Sequence, residues 1–360
     1  MNLRVRRCIF LPGIAILFLL MGPFSSHAQC RVDSTPAGRE AFMKHVSKDC
    51  TDNERLAHAV HAQDILQAIR RGQEVDLLGV VVVGHLALDQ LREVDVPALG
   101  DLPPLIQDVL TSRGINTVRV ISRALSIRDS RVQGTIVTRL REGYLLMQGP
   151  VTMTGTICEE MVDLSRTMFT ETVNLSDAVF RREAFFLQTV FNRPARFERV
   201  AFGAHTRFHR AQFGETVTFE RATFNGLAEF LEVAFNKEAT FVRSNFKLGT
   251  GFSGDQFAAR LNFSEARFEA DVYFLFTRFA GDVSFRRSSF RGQADFSNAE
   301  FHGMADFTRT SFTLDPVFQR TRLSGSPPMR AEFQKSLTLY GIAASLLVFT
   351  VLMFWIFKSR

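Results

Sequence analysis

The sequence predicts an all-β fold of short strands wound into a stacked coil, with a mixed α/β cap before it and a transmembrane helix after it. Three observations carry this expectation. Bulky apolar residues recur at alternating steps of five and six from Met153 to Phe318. The stretch from Cys30 to about Leu146 lacks that period. Leu337 to Phe357 are 21 largely apolar residues with no charge, enough to span a bilayer.

One register of the repeat holds Met153, Leu164, Leu175, Phe186 and every eleventh residue to Phe318, and the other runs from Cys158 through Phe169 to Phe312. Phe fills 27 of these 31 positions. A helix needs apolar spacing near 3.6 and a flat strand near 2, so sustained steps of five and six require a coiled path. Two residues before many ladder positions stands a small residue, as at Ala184, Ala195, Ala222 and Ala239. Strand alternation points both inward and leaves the rest of each side to water. The Phe rows read as core stacking, not as a ligand site.

Segments such as AEFLEVAF, ATFVRSNF and ADFSNAEF resemble the pentapeptide-repeat family, in which a small residue precedes a central Leu or Phe by two. The resemblance covers roughly residues 147–318 and implies a right-handed, four-sided parallel β-helix. Four uniform steps of five make about 20 residues per coil, whereas the alternation here makes 22. Leu164 to Phe318 is then seven coils, a rod of roughly 35 Å at about 4.8 Å per strand. The extra residues fall in the long steps, where Gly226, Gly281, Gly292 and Gly303 are expected at corners of positive φ, with Asn192, Asn225 and Asn236 one residue earlier.

Arg4, Arg6 and Arg7 precede an apolar run to Met21 that closes on Ser26-His27-Ala28, so residues 1–28 read as a secretory signal peptide. Tyr340 and Trp355 lie near the ends of the apolar stretch 337–357, and 358–360 make a short basic tail. A cleaved signal, or an uncleaved first helix with its basic end inside, exports the repeat domain. The expectation is a single-pass protein of a bacterial inner membrane, with residues 358–360 cytoplasmic and the β-helix on the periplasmic or extracellular side. TRLSGSPP, within 319–336, reads as a linker. Cys30 and Cys50 bracket a polar segment and are a candidate disulfide, the alternative being two free thiols. Cys158 occupies a ladder slot and is expected to be a buried thiol.

Residues 29–146 read as the cap that a β-helix end requires. Thr51 to Glu54 has capping-box spacing, and Leu56, Val60, Ile65, Leu66 and Ile69 form an apolar stripe ending at Gly72. VDLLGVVVVGHLAL reads as a first irregular coil, PALGDLPP as an excursion with a short helix near 105–110, and strands resume at Thr117.

Chemistry is sparse. His58, His61 and Asp64 lie on roughly the same helical face and could ligate a metal, but solvated helix residues outrank a metal site there. His205 and His209 flank Phe208 on a wall. Glu159, Glu160 and Asp163 have no sugar-binding aromatic beside them. No nucleophile elbow, P-loop, dinucleotide fingerprint or paired-cysteine zinc motif is present. The expectation is no catalytic residue, no cofactor and no metal. The net charge of +6 lies largely in the termini, and residues 150–318 carry 19 basic against 21 acidic side chains. Some members of the family are strongly acidic DNA mimics that protect DNA gyrase, and this near-neutral, exported wall departs from them; no nucleic acid is expected. Arg193, Arg196, Arg199, Arg207, Arg210, Arg221 and Arg243 form a candidate basic binding strip, in which Arg199, Arg221 and Arg243 stack one coil apart. The leading expectation is a non-enzymatic, membrane-tethered scaffold that binds another envelope protein. The second is a module for anionic glycan or lipid, and a polysaccharide-cleaving enzyme ranks last.

Overall fold

The computed structural model describes residues 30–35, 40–138 and 143–324, and the backbone of 329–335. The proposed signal peptide and membrane span lie outside the described residues. Among those described, no helix is long and apolar enough to cross a membrane.

The chain winds a parallel, right-handed solenoid of about 12 turns. At about 4.8 Å per turn the rod is roughly 55 Å long. Each turn has four walls. Wall 1 stacks Glu74–Leu78 under Leu125–Arg128, Val151–Thr152 and successors to Ala305. Wall 2 passes through Val81–Val83, Arg131–Val132 and Ile157–Cys158. Wall 3 begins with Leu86–Ala87, Ile136–Val137 and Val162–Asp163. Wall 4 runs from Thr117–Ile121 through Tyr144–Met147 to Arg322–Leu323. In the repeat itself partners are 22 residues apart, as Phe180 with Phe202 and Phe202 with Phe224.

The rod is longer than the Phe ladder because coils of the same walls precede it. Leu125 pairs with Val75 below and Val151 above, so the parallel ladder crosses residue 147 unbroken. Val, Ile and Leu fill the core there instead of Phe, which hides the period from a search for aromatic residues. At the other end Arg322–Leu323 extend wall 4, and Met329–Lys335 pair with Ala305–Phe312 over walls 1 and 2. The ladder therefore reaches into 319–336, the stretch expected to be a linker.

The first turn is closed by the cap. Strand β1 (Val32–Ser34) pairs antiparallel with β2 (Ala41–Val46), and β2 starts wall 1 beneath Glu74–Leu78. The apolar stripe expected to be one helix divides in two. Helix α1 (Asp52–Ala57) carries the capping box, with Thr51 accepting from the Glu54 N–H. Val60–His61 then form the first strand of wall 2, and helix α2 (Ala62–Arg70) follows. The strand intervenes because Val60 must pair with Val82, a tertiary demand invisible to helical periodicity. Leu56 is consequently exposed, while Ile65, Leu66 and Ile69 of α2 are buried against the open end of the core. Arg55 ties the cap together by donating to the carbonyls of Ser47, Cys50 and Gly79.

Inside, the rings stack in columns. Phe197 lies 4.6 Å from Phe219 at 11°, matching the strand spacing, and meets Phe208 of the opposite wall edge-on at 5.7 Å and 86°. Offset stacks and edge contacts are the geometries that ring quadrupoles favour.

Candidate interaction surface

Corners decide what the walls show to solvent. Every eleventh residue from Arg166 to Arg320 has φ between 54° and 61°, apart from Gly254 at 74°. These are the short-step corners, two residues after Leu164, Leu175, Phe186 and their successors. A five-residue step leaves only a tight reversal, closed where the Ala222 N–H donates to the Phe219 carbonyl at 3.0 Å, and that reversal needs the left-handed region. The glycines expected at positive φ do not adopt it. Their constraint is close stacking: a Cβ on Gly226 would lie 2.4 Å from the Ala204 carbonyl carbon, and one on Gly281 2.5 Å from that of Ala259. The long step has a residue to spare and turns without φ reversal.

The side chain before the ladder residue completes many short-step corners. Asn174, Asn262, Asp163, Asp295 and Asp306 each accept from the N–H two residues on, satisfying a donor that the ladder leaves free. This employs Asp163 of the acidic group, and Glu159 is paired with Arg131 and Arg181 at 3.5 and 3.0 Å.

The arginines of the candidate strip fall on these corners and walls, interleaved with carboxylates. Arg199 donates twice to Asp177, at 2.6 and 2.7 Å. Arg243 meets Glu265 at 2.8 Å, Arg210 meets Glu232 at 2.7 Å and Arg207 meets Glu229 at 2.6 Å. Arg221 sits 3.6 Å from Glu220. Arg193 and Arg196 are exposed. The vertical stack is present, but the 22-residue period places an acid beside most of its cations.

His58 caps the C-terminus of α1 whereas His61 lies on the strand before α2, so the shared helical face does not exist. Among the described residues no group of three or more His, Cys, Asp or Glu is placed to hold a metal ion. His205 is exposed; His209 is half-buried, with Nε2 3.7 Å from Glu229, and burial lowers its pKa. It lines a groove of about 490 Å³ between walls 3 and 4, with Asp163, Arg166, Gln188, Arg210 and Glu232. Cys30 and Cys50 are joined as a disulfide. Cys158 is buried, and burial with the neighbouring Glu159 pushes its thiol up to about 12.

Wall 4 holds an occupant of its own. The excursion after wall 3 returns through helix α3 (Pro104–Ser112), whose Ile106, Val109 and Leu110 pack on the outward residues Val118, Tyr144, Leu146, Met168 and Val190. The wall turns polar at Gln212, directly above Val190, and Leu105 reaches to within 2.7 Å of where a Cβ on Gly214 would stand.

Residues 164–212 and 285–327 match a family model described as pentapeptide repeats (9 copies). The chain carries pentapeptide repeats of that family. No curated protein and no solved structure matches the chain. The coils of this pentapeptide-repeat protein between the two matched segments keep the 22-residue register, as Val217 with Ala239 and Ala239 with Leu261.

Sequence reasoning missed two features of this pentapeptide-repeat protein. Asp255 is completely buried in a corner column whose neighbours are Val233 and Thr277. Tyr273 and Phe276 are exposed on or beside wall 3. Comparing residues 22 apart would have flagged both, because each stands where neighbouring coils carry another chemical type.

Proposed function

We propose that this pentapeptide-repeat protein is a non-enzymatic, membrane-tethered scaffold whose walls hold another protein of the cell envelope. The observation that carries the reading is wall 4: where its outward residues are apolar, it already binds a helix, α3, of the same chain. A rigid stack of four walls repeats such surfaces along its length. Carboxylates near the grooves are engaged in ion pairs or corner hydrogen bonds, which leaves little for acid–base chemistry. The basic strip favours the glycan or lipid reading less, since Asp177, Glu229, Glu232 and Glu265 lie within ion-pair distance of its arginines. The signal-like residues 1–28 and the apolar 337–357 support export and tethering.

In-cell crosslinking of the tagged full chain, with a variant lacking residues 30–335 as control, tests this. A stoichiometric envelope protein recovered only with the repeat domain is the expected result. Recovery of the chain in the soluble fraction removes the tether, and recovery of lipid or glycan alone removes the scaffold.

A further inference from the structure

Wall 3 is interrupted in a single coil. Gly249, Gly251 and Gly254 fall within six residues, leaving three bare positions on and beside the outer face. Gly251 pairs with Glu229 below and Tyr273 above, and Phe276 stands 22 residues after Gly254. Both aromatic side chains therefore sit above a place where the wall has no side chain. From below, Leu231 and Leu227 lean in: their methyls lie 3.0 and 3.3 Å from where Cβ atoms on Gly251 and Gly249 would stand. Leu248 borders the same coil and is 48 % exposed. The result is a shallow glycine-floored hollow, partly filled by those methyls, between the leucine coil and the aromatic coil about 10 Å above it.

Phe276 marks the hollow as more than a gap. It is 68 % exposed and holds φ 56°, a conformation that bulky side chains rarely adopt. Other coils place Arg, Glu, Gln, Asp, Asn or Gly at this kind of corner. Exposure and strain are both unfavourable for folding, and strain of this sort clusters at binding sites. Two carboxylates stand above the hollow. Asp271 accepts from the Gln293 N–H and from the Tyr273 hydroxyl, and Asp295 accepts from the Ser297 N–H; among the described residues neither has a cation within ion-pair distance, in contrast to Glu229 and Glu232 below.

We infer that this part of wall 3 is a docking site for a polypeptide segment that inserts one bulky apolar side chain between the leucines and Tyr273–Phe276, with flanking Lys or Arg facing Asp271 and Asp295. The inference rests on the scaffold reading and specifies the surface it uses. Leu227 and Leu231 below and Leu248 beside the hollow favour an aliphatic or aromatic side chain over a sugar ring, which would need polar partners there.

The test is fluorescence anisotropy of the purified full chain with three probes: a labelled decapeptide with one Leu between lysines, its glutamate counterpart, and a labelled chitohexaose. The lysine peptide binds saturably and the glutamate peptide at least tenfold more weakly. Tyr273→Thr with Phe276→Asn, and separately Gly251→Leu, each weaken binding at least tenfold, while Arg199→Ala leaves it unchanged. Asn tolerates the corner conformation, so the double variant remains folded, checked by an unchanged melting profile. Equal binding to all variants, no saturable binding, or a Tyr273-dependent preference for the sugar overturns the inference. In-cell partner capture that survives the wall 3 variants sinks this site alone and leaves the scaffold standing.

Discussion

Asp255 shows how one residue departs from its column. Its Oδ1 accepts from the Val233 N–H at 2.7 Å, and its Oδ2 has no partner among the described residues. In the same column Thr189, Thr277 and Thr321 donate to the carbonyls of Leu164, Phe252 and Phe296, at 3.1, 2.6 and 2.8 Å. Burial raises the Asp255 pKa well above its ordinary value, against a smaller lowering by the Val233 N–H. A folded-state pKa above the unfolded one means that the native protein holds the proton longer. Its stabilisation is complete below the unfolded value of 3.8 and falls by up to about 1.4 kcal/mol per pH unit as pH rises towards the folded pKa. Asp255→Thr is expected to raise the melting temperature at pH 7 and to flatten its decline between pH 4 and pH 7, measured by calorimetry across that range. The corner positions make a second prediction. Arg221→Gly removes a left-handed non-glycine residue and should stabilise by roughly 0.5–1 kcal/mol, whereas Gly254→Ala should destabilise by about 1 kcal/mol; urea titration decides both.

Among elements, the cap was the least legible. Its capping box and the stretch of α3 were readable because both rest on neighbours along the chain. The break between α1 and α2 was not, because Val60 belongs to wall 2 through pairing with Val82, 22 residues away. Reducing the Cys30–Cys50 disulfide frees a loop of 20 residues, and loop-closure entropy puts the loss at about 3 kcal/mol. Since β1 ends the ladder, the loss should appear as faster hydrogen exchange in 30–83 with the Phe coils unchanged. A uniform change along the rod would contradict the cap's local role.

For the whole molecule, stability is a sum over adjacent turns. Phe219 is fully buried and stacks on Phe197 and Phe241 at 4.6 and 4.8 Å. Phe219→Ala should lower stability by about 3–5 kcal/mol. Phe318, only partly buried beneath the last turn, should lose clearly less on the same substitution. Chemical denaturation of the two variants compares them directly, and equal losses would mean that the rod does not behave as a chain of neighbouring contacts.

The sequence by itself determined the coil size, the identity of the core and the parallel stacking. Each follows from an unbroken period, and a period commits every turn to the same contacts with the turns above and below. Tertiary structure decided which corners bend left-handed, which arginines meet a carboxylate, where the coils begin, and where wall 3 lies open. Those outcomes depend on residues 22 apart meeting face to face and on how closely backbone corners stack. Neither distance is set by adjacency along the chain.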